Sequence, residues 1–233
     1  ISTWFANNTI IVTFPELIKT GVTEIIRNAF QGCSNLRDID LNNITAILGY
    51  AFQDCSNLES VNMDNIERIE GSAFKGCPNL TGDFNLPNLQ YIGASAFDGS
   101  AIASITAPNL TEIGNYGLAN CKALRKVDIG ESTTSIGAYA FVNNSVLAPF
   151  ACRAKTPPSL GGNAFANTGS KLRIYVPDEQ MEAYKTANNW SAYASRMLPL
   201  SEWYLLTLLP SESVTNKGVI VIEAECCGDV VKP

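Results

Sequence analysis

Residues 29–41 read AFQGCSNLRDIDL, residues 51–63 read AFQDCSNLESVNM and residues 73–86 read AFKGCPNLTGDFNL. Agreement at several separate positions and at a fixed interval indicates an internal structural repeat. The second residue of the Ala-Phe pair recurs at spacings of 22, 22, 23, 21, 23 and 24 residues. One copy has drifted, and the seven pairs are Ala29-Phe30, Ala51-Phe52, Ala73-Phe74, Ala96-Phe97, Gly117-Leu118, Ala140-Phe141 and Ala164-Phe165. The sequence therefore predicts six to seven tandem repeats.

Each repeat carries two further apolar patterns. In the second copy, Val61 and Met63 alternate with polar residues, as a half-buried strand does. Ile66 and Ile69 follow three residues apart, which favours a tight turn or a short 3-10 segment. A glycine then stands shortly before the Ala-Phe pair, where a sharp corner is expected to need a positive φ. These corner glycines are Gly49, Gly71, Gly93, Gly114 and Gly137. A single unit of this kind buries too little apolar surface to fold alone, so neighbours must stack and both ends need caps.

A cysteine follows the aromatic residue by three positions in four copies: Cys33, Cys55, Cys77 and Cys121. Such a column is either a set of small buried residues with free thiols or a disulfide or metal ladder. No CxxC spacing occurs and seven cysteines cannot all pair within one chain, which favours free thiols. Adjacent Cys226 and Cys227 could form only a strained bridge, so free thiols or a disordered segment are expected there.

Composition excludes several classes of function. The chain has no histidine, which removes Ser-His-Asp and Cys-His catalysis and His-ligated metals. A net charge of −6 disfavours binding to nucleic acid and to anionic lipid. No apolar run reaches 18 residues, so no membrane insertion is expected. The first residues do not resemble a signal peptide, and Ile1 favours a chain whose leader has been removed.

The pattern I-G-x-x-A-F-x-x-C-x-x-L-x-x-V-x-L resembles the BspA-type leucine-rich repeat over roughly residues 10–200. The resemblance implies a right-handed leucine-rich-repeat solenoid, an α/β-type superhelix of short parallel strands and 3-10 turns, with a parallel sheet on its concave face and a C-terminal helical cap. It also implies a non-enzymatic protein of the bacterial cell surface or of the extracellular space. Such a module is expected to bind a protein or a glycan, for example a component of the host extracellular matrix. It is expected to use no cofactor or metal.

Four regions are predicted: a decayed repeat over 1–24, the array over 25–150, the last repeat and cap over 151–200, and a strand-rich tail or stub of a further module over 201–233. In the first region, Ile11, Val12 and Phe14 are candidate strand residues, and Trp4 and Phe5 could cover the open edge. In the cap, Asp178 could begin a helix that carries Met181 and Tyr184, and Trp190, Tyr193 and Met197 could belong to a second helix. The tail is expected to form two strands, in WYLLTLLP and GVIVIEAECC.

Polar residues that flank the inward strand residues define a predicted concave binding face: Asp38, Asp40, Ser60, Asn62, Asp83, Asn85, Ser104, Thr106, Lys126 and Asp128. This face is polar, mildly acidic and low in aromatic residues, which argues against a tight protein site on it. Its Asp and Asn side chains could suit sugar hydroxyls or Ca²⁺, or the face could meet only solvent. No calcium-loop motif accompanies it. A structural spacer that presents other modules is the second hypothesis. A hydrolase that uses Asp38 and Asp40 is the third hypothesis. Nothing in the sequence distinguishes these two carboxylates from the variable polar residues of the other repeats.

Overall fold

Each described strand pairs in parallel with a strand about one repeat away in the sequence. The computed structural model describes residues 10–12 and 21–203, which form a parallel β-solenoid of about eight turns. One side carries the longer strands: β1 Ile10–Val12, β3 Leu36–Asp40, β5 Ser60–Asn62, β7 Thr81–Asn85, β9 Ala101–Ala107, β11 Lys126–Ile129, β13 Pro149–Cys152, β15 Arg173–Val176 and β16 Met197–Pro199. The leucine-rich-repeat solenoid predicted from the sequence is confirmed.

A second side carries seven two-residue strands in one sheet: β2 Glu24–Ile25, β4 Ala46–Ile47, β6 Arg68–Ile69, β8 Tyr91–Ile92, β10 Glu112–Ile113, β12 Ser135–Ile136 and β14 Ser159–Leu160. The prediction of a tight turn or short 3-10 segment at Ile66 and Ile69 is correct for the first residue and wrong for the second. Ile66 N–H does close a turn onto Met63 C=O, at 3.1 Å, but Ile69 lies in a strand. A strand forms because the backbone groups of Ile69 and its neighbours can pair with adjacent turns.

The Ala-Phe segments form the third side, and they too are joined by backbone hydrogen bonds. Phe30 N–H donates to Ala51 C=O at 2.7 Å, and Phe52 N–H donates to Ala73 C=O at 2.8 Å. The residue before each pair has a left-handed φ between 55° and 62°. We call these residues the left-handed column: Asn28, Tyr50, Ser72, Ser95, Tyr116, Tyr139 and Asn163.

The expectation that the corner glycines Gly49, Gly71, Gly93, Gly114 and Gly137 adopt positive φ is wrong. The left-handed residue comes one or two positions later, in the left-handed column. These glycines instead lie where adjacent turns approach closely. A Cβ on Gly93 would stand 2.5 Å from the backbone nitrogen of Gly71, which is closer than real Cβ atoms come.

Ladders of like residues fill the interior. Phe30, Phe52 and Phe74 stack with ring centroids 5.0 and 5.2 Å apart. The cysteine column lies beside them, and the predicted free, buried thiols are confirmed. Cys55 Sγ donates to Phe30 C=O at 3.0 Å, so the thiol satisfies a buried carbonyl of the preceding turn.

The longer-strand side is divided into two sheets, β1-β3-β5 and β7-β9-β11-β13-β15-β16. Gly82 marks the break: it adds one residue between Leu80 and the inward Phe84, and the register with β9 shifts there. Its φ of 118° lies in a region that glycine enters without steric strain. At the register shift the unpaired residue is Ala103 of β9, since Gly82 lies opposite Ile102 and Asp83 lies opposite Ser104. We call this irregularity the bulge, and a β-bulge bends a strand and disrupts regular pairing.

The C-terminal cap consists of the 3-10 turn Asp178–Gln180, helix α1 Met181–Thr186, the 3-10 helix Ser191–Arg196 and strand β16. Tyr184 and Trp190 are fully buried and cover the last turn. Trp190 Nε1–H donates to Pro158 C=O at 2.7 Å. The cap is therefore confirmed as a core-closing element.

Two details of the predicted cap are wrong. Asp178 does not cap a helix with its side chain, because its carboxylate accepts the backbone N–H of Ser201 at 3.1 Å. Met197 begins β16 rather than lying in a helix, since it pairs with Ile174 of β15.

Residues 200–203 are helical, so Trp203 does not belong to the predicted strand WYLLTLLP. The rest of that strand, the predicted second strand and Cys226 and Cys227 lie outside the described residues. So do Trp4, Phe5 and Phe14 at the other end. Within residues 10–12, β1 pairs in parallel with β3, which places a strand where Ile11 and Val12 predicted one.

Candidate binding face

The ten predicted face residues lie on the outer side of the longer strands, in two registered columns. In one column Asp38 stands opposite Ser60, and Asp83, Ser104 and Lys126 follow beyond the bulge. The other column contains the remaining five: Asp40 and Asn62 before the bulge, and Asn85, Thr106 and Asp128 after it. Because β5 and β7 do not pair, the ten residues form two patches rather than one continuous surface.

The patch before the bulge is held by side-chain hydrogen bonds between and within turns. Ser60 Oγ donates to Asp38 Oδ1 at 2.5 Å. Asp40 accepts the side-chain amide of Asn42 at 2.8 Å, and Asn62 donates to the Asn42 side chain at 2.7 Å. These bonds fix the carboxylates as acceptors on a rigid polar surface.

The patch after the bulge surrounds a shallow depression of about 310 Å³, which is lined by Asp83, Phe84, Asn85, Ser104, Thr106, Arg125 and Lys126. Arg125 reaches across two turns and holds both carboxylate oxygens of Asp83, at 2.7 and 2.8 Å. Ser104 Oγ donates to the same carboxylate at 2.6 Å. The Ser104 hydroxyl and the Arg125 guanidinium together hold the pKa of Asp83 below its ordinary value. The depression thus presents cations, amides and hydroxyls in fixed positions.

Two predicted face residues are buried, which corrects their assignment to the solvent-facing surface. Ser104 lies beneath the Asp83 carboxylate that it bonds. Asp128 is 8% exposed, and Arg153 grips it through Nε at 2.8 Å and a terminal nitrogen at 3.0 Å. This half-buried ion pair holds adjacent turns together and leaves Asp128 little surface to offer a ligand.

The far end of the face is aromatic, which the sequence pattern did not predict. Leu200 and Trp203 pack on Ala151 and Tyr175, which occupy the Asp128 column in β13 and β15. Trp203 lies 5.2 Å from the Tyr175 ring, and Lys126 Nζ stands 5.3 Å above the indole. One sequence feature could have indicated this: in β15, Tyr175 follows the inward Ile174, so alternation places the Tyr175 ring on the outer side of the strand. The predicted low aromatic content holds for the strands up to β11.

The face shows no arrangement of a catalytic or metal centre. Among residues 10–12 and 21–203, no group of three or more Cys, Asp or Glu side chains could hold a metal ion. Asp38 and Asp40 share one strand face, but they are engaged by Ser60 and Asn42 rather than by each other. No helix in the part of the chain that the structure describes is both long and apolar enough to cross a membrane.

The repeat geometry agrees with a comparison against protein families. The model of the BspA type leucine rich repeat region matches residues 3–88 and 67–191, with six copies in all. The chain belongs to this family. Leucine-rich repeat proteins of this kind are generally non-catalytic and bind proteins.

A solved structure of a bacterial leucine-rich repeat protein shares the fold. That protein, from Bacteroides ovatus, is 27% identical, with a TM-score of 0.55, and the match covers 67% of this chain and 47% of that one. This chain therefore spans about half the length of that relative. A leucine rich cell surface protein from Faecalibacterium prausnitzii is 17% identical, with a TM-score of 0.31 over 78% of this chain and 79% of that one. No curated protein matches the chain.

Proposed function

We propose that this BspA-type repeat protein binds another protein through the outer face of its longer strands, centred on the depression between β7 and β11. The observation that carries the proposal is the fixed mixture of charges around that depression. Arg125 and Lys126 stand beside the Asp83 carboxylate, with Asn85 and Thr106 opposite. Preorganised side chains of both charges and both hydrogen-bonding senses suit a polar peptide segment of a folded partner.

The bulge makes this part of the face different from the rest of the array. The register between β7 and β9 shifts after Gly82, and the residues of β7 are mostly exposed, whereas the equivalent columns in β13 and β15 lie beneath Leu200 and Trp203. A ligand thus meets a bent, uncovered surface flanked by an aromatic ridge. Aromatic and arginine side chains at the edge of a polar depression are common where proteins bind one another.

A direct binding assay tests the proposal. Purified fibronectin, laminin, fibrinogen and collagen would be passed over the immobilised protein and its variants. Arg125→Glu should weaken binding by at least about tenfold, because it reverses a charge that lines the depression. Lys122→Glu is the matched control: Lys122 is exposed, three positions away and outside the depression, so affinity should stay within about twofold. The Arg125–Asp83 pair is largely exposed, so its loss should not unfold the protein.

Equal affinity in both variants would place the binding surface elsewhere. Failure to bind any of these proteins would instead favour the spacer hypothesis, in which the solenoid holds other modules apart. We also propose, from the family resemblance, that the protein acts at the cell surface. Protease treatment of intact cells should then remove it, whereas an intracellular protein would be protected.

A further inference from the structure

The left-handed column carries an unusual set of side chains. Left-handed φ is tolerated best by glycine and asparagine, and a bulky residue there is strained. Asn28 and Asn163 occupy the two ends of the column, yet tyrosine stands in three of the turns between, at Tyr50, Tyr116 and Tyr139. Bulky residues in strained positions concentrate at functional sites, where something other than stability retains them.

Two of these tyrosines are also the most exposed aromatic residues in the described part of the chain. Tyr50 is 39% exposed and Tyr116 is 41% exposed, and every other aromatic residue described is buried or half-buried. Exposed rings on a fixed backbone present apolar area without loss of side-chain freedom on binding.

Within residues 21–203, each exposed ring has a cation or a second ring packed on one of its faces. The Arg27 guanidinium lies over Tyr50, at 5.7 Å, from the turn before it. Tyr139 stacks on Tyr116 from the turn after it, with centroids 5.0 Å apart and planes within 6°. Asn163 holds Tyr139 in turn, through a 3.1 Å hydrogen bond to its hydroxyl. The opposite faces of Tyr50 and Tyr116 are therefore directed towards the two turns that lie between them.

The space between these two faces is lined by small polar residues. Ser72 and Ser95 occupy the two intervening positions of the column, and both are partly exposed. Three turn spacings of roughly 4.8 Å separate the tyrosines by about 14 Å, which leaves room for a ring-sized group against each wall. We call this space the tyrosine slot: walls Tyr50 and Tyr116, floor Ser72 and Ser95.

We propose that the tyrosine slot is a binding site for neutral carbohydrate. The C–H bonds on one face of a pyranose ring pack on the electron-rich face of an aromatic ring, and its hydroxyls need partners that both donate and accept. Tyrosine walls and a serine floor supply both. None of the four slot residues is charged, which suits a neutral ligand. A proline-rich peptide would also pack on tyrosine, but its backbone offers mainly acceptors and would use the serine hydroxyls less fully.

The slot lies on the Ala-Phe side of the solenoid, distinct from the proposed protein-binding face. The test begins with an array of neutral gluco-, xylo-, manno- and N-acetylglucosamine oligosaccharides, printed beside acidic glycans and a proline-rich peptide. The strongest neutral oligosaccharide is then titrated in solution. Tyr50→Asn and Tyr116→Asn should each weaken binding about tenfold, the loss expected for one aromatic contact. Ser95→Tyr, which fills the slot, should abolish binding.

Controls separate loss of the site from loss of the fold. Asparagine suits the left-handed position, so both asparagine variants should unfold at the same temperature as the parent or higher. Tyr91→Ser removes a tyrosine outside the slot, at a register position where Ser135 occurs two turns away. It should keep affinity within twofold, as should Arg125→Glu. The proposal is overturned if no neutral oligosaccharide binds, if only the proline-rich peptide binds, or if Tyr116→Asn leaves affinity unchanged.

Discussion

Adjacent turns approach one another closely at several of the glycines that precede the corners. A Cβ on Gly161 would lie 2.1 Å from the backbone nitrogen of Ala138, whereas a Cβ on Gly162 would meet nothing within 4 Å. Neither residue has a positive φ. The two neighbours therefore differ in how closely the next turn approaches, while neither needs a positive φ, which makes them a direct test of why glycine recurs at this corner.

Gly161→Ala should lower the free energy of unfolding by about 1–3 kcal/mol, because backbone atoms must move to admit the methyl group. Gly162→Ala should change it by less than about 1 kcal/mol, and in the stabilising direction, since alanine restricts the unfolded chain. Urea unfolding followed by circular dichroism measures both. Equal effects of the two substitutions would show that close approach is not the reason for the glycine.

The recurrence of glycine in the sequence indicated that this position matters, but it did not indicate the physical reason. A positive φ and a close contact both select glycine, and only the distance to the next turn distinguishes the two. The same limit applies to Asp128. Its position on the outer side of a strand followed from alternation, but its burial depends on Arg153, which lies 25 residues further along the chain. Contacts of this kind are fixed by side-chain reach and not by the period of the repeat.

Among the structural elements, the cysteine column links the strand side to the Ala-Phe side. Cys77 Sγ donates to Phe52 C=O at 3.1 Å, one turn away. Burial raises the pKa of Cys77 to about 12 from an ordinary value of 9.0. In the unfolded chain this thiol ionises above about pH 9, while in the folded chain it stays protonated.

The difference in pKa predicts a loss of stability in alkali. The thiol contributes fully below pH 9, and its contribution falls as the pH rises from 9 towards 12, by about 1.4 kcal/mol per pH unit. Cys77→Ala should therefore flatten the alkaline decline in the free energy of unfolding by the equivalent of one proton. At pH 7 the variant should be less stable by about 0.5–1.5 kcal/mol, since Phe52 C=O loses one of its two hydrogen bonds and keeps the one from Cys55 N–H. Parallel pH profiles for parent and variant would contradict the assignment.

The elements also show which parts of the fold a periodic sequence can predict. The longer strands follow from the alternation of residues such as Val61 and Met63, because alternation reports which side is buried. The two-residue strands were missed, since two residues are too few to show a period. The extra residue between Leu80 and Phe84 was visible in the repeat spacing, but the bulge was not, since the register shift depends on how the residues of both β7 and β9 pair.

For the whole molecule, each turn depends on its neighbours, so the ends limit the stability of the array. Trp190 closes the C-terminal end: it is fully buried, packs edge to face against Tyr184 at 5.1 Å and lies 6.2 Å from Phe165. The sequence predicted a bulky cap at this position correctly. The order of its elements could not be predicted, because the cap has no repeat period to follow.

Trp190→Ala should destabilise the protein by about 3–5 kcal/mol, the usual loss for a large cavity in a core. Because strands pair only with those of adjacent turns, amide hydrogen exchange should lose protection first in β13 and β15, next to the cap, while β3 and β5 keep theirs. Trp190→Phe keeps most of the ring and loses the hydrogen bond to Pro158 C=O, so it should show a smaller loss with the same spatial order. An equal loss of protection along the whole array would mean that the solenoid unfolds as one unit and that the cap does not govern its end.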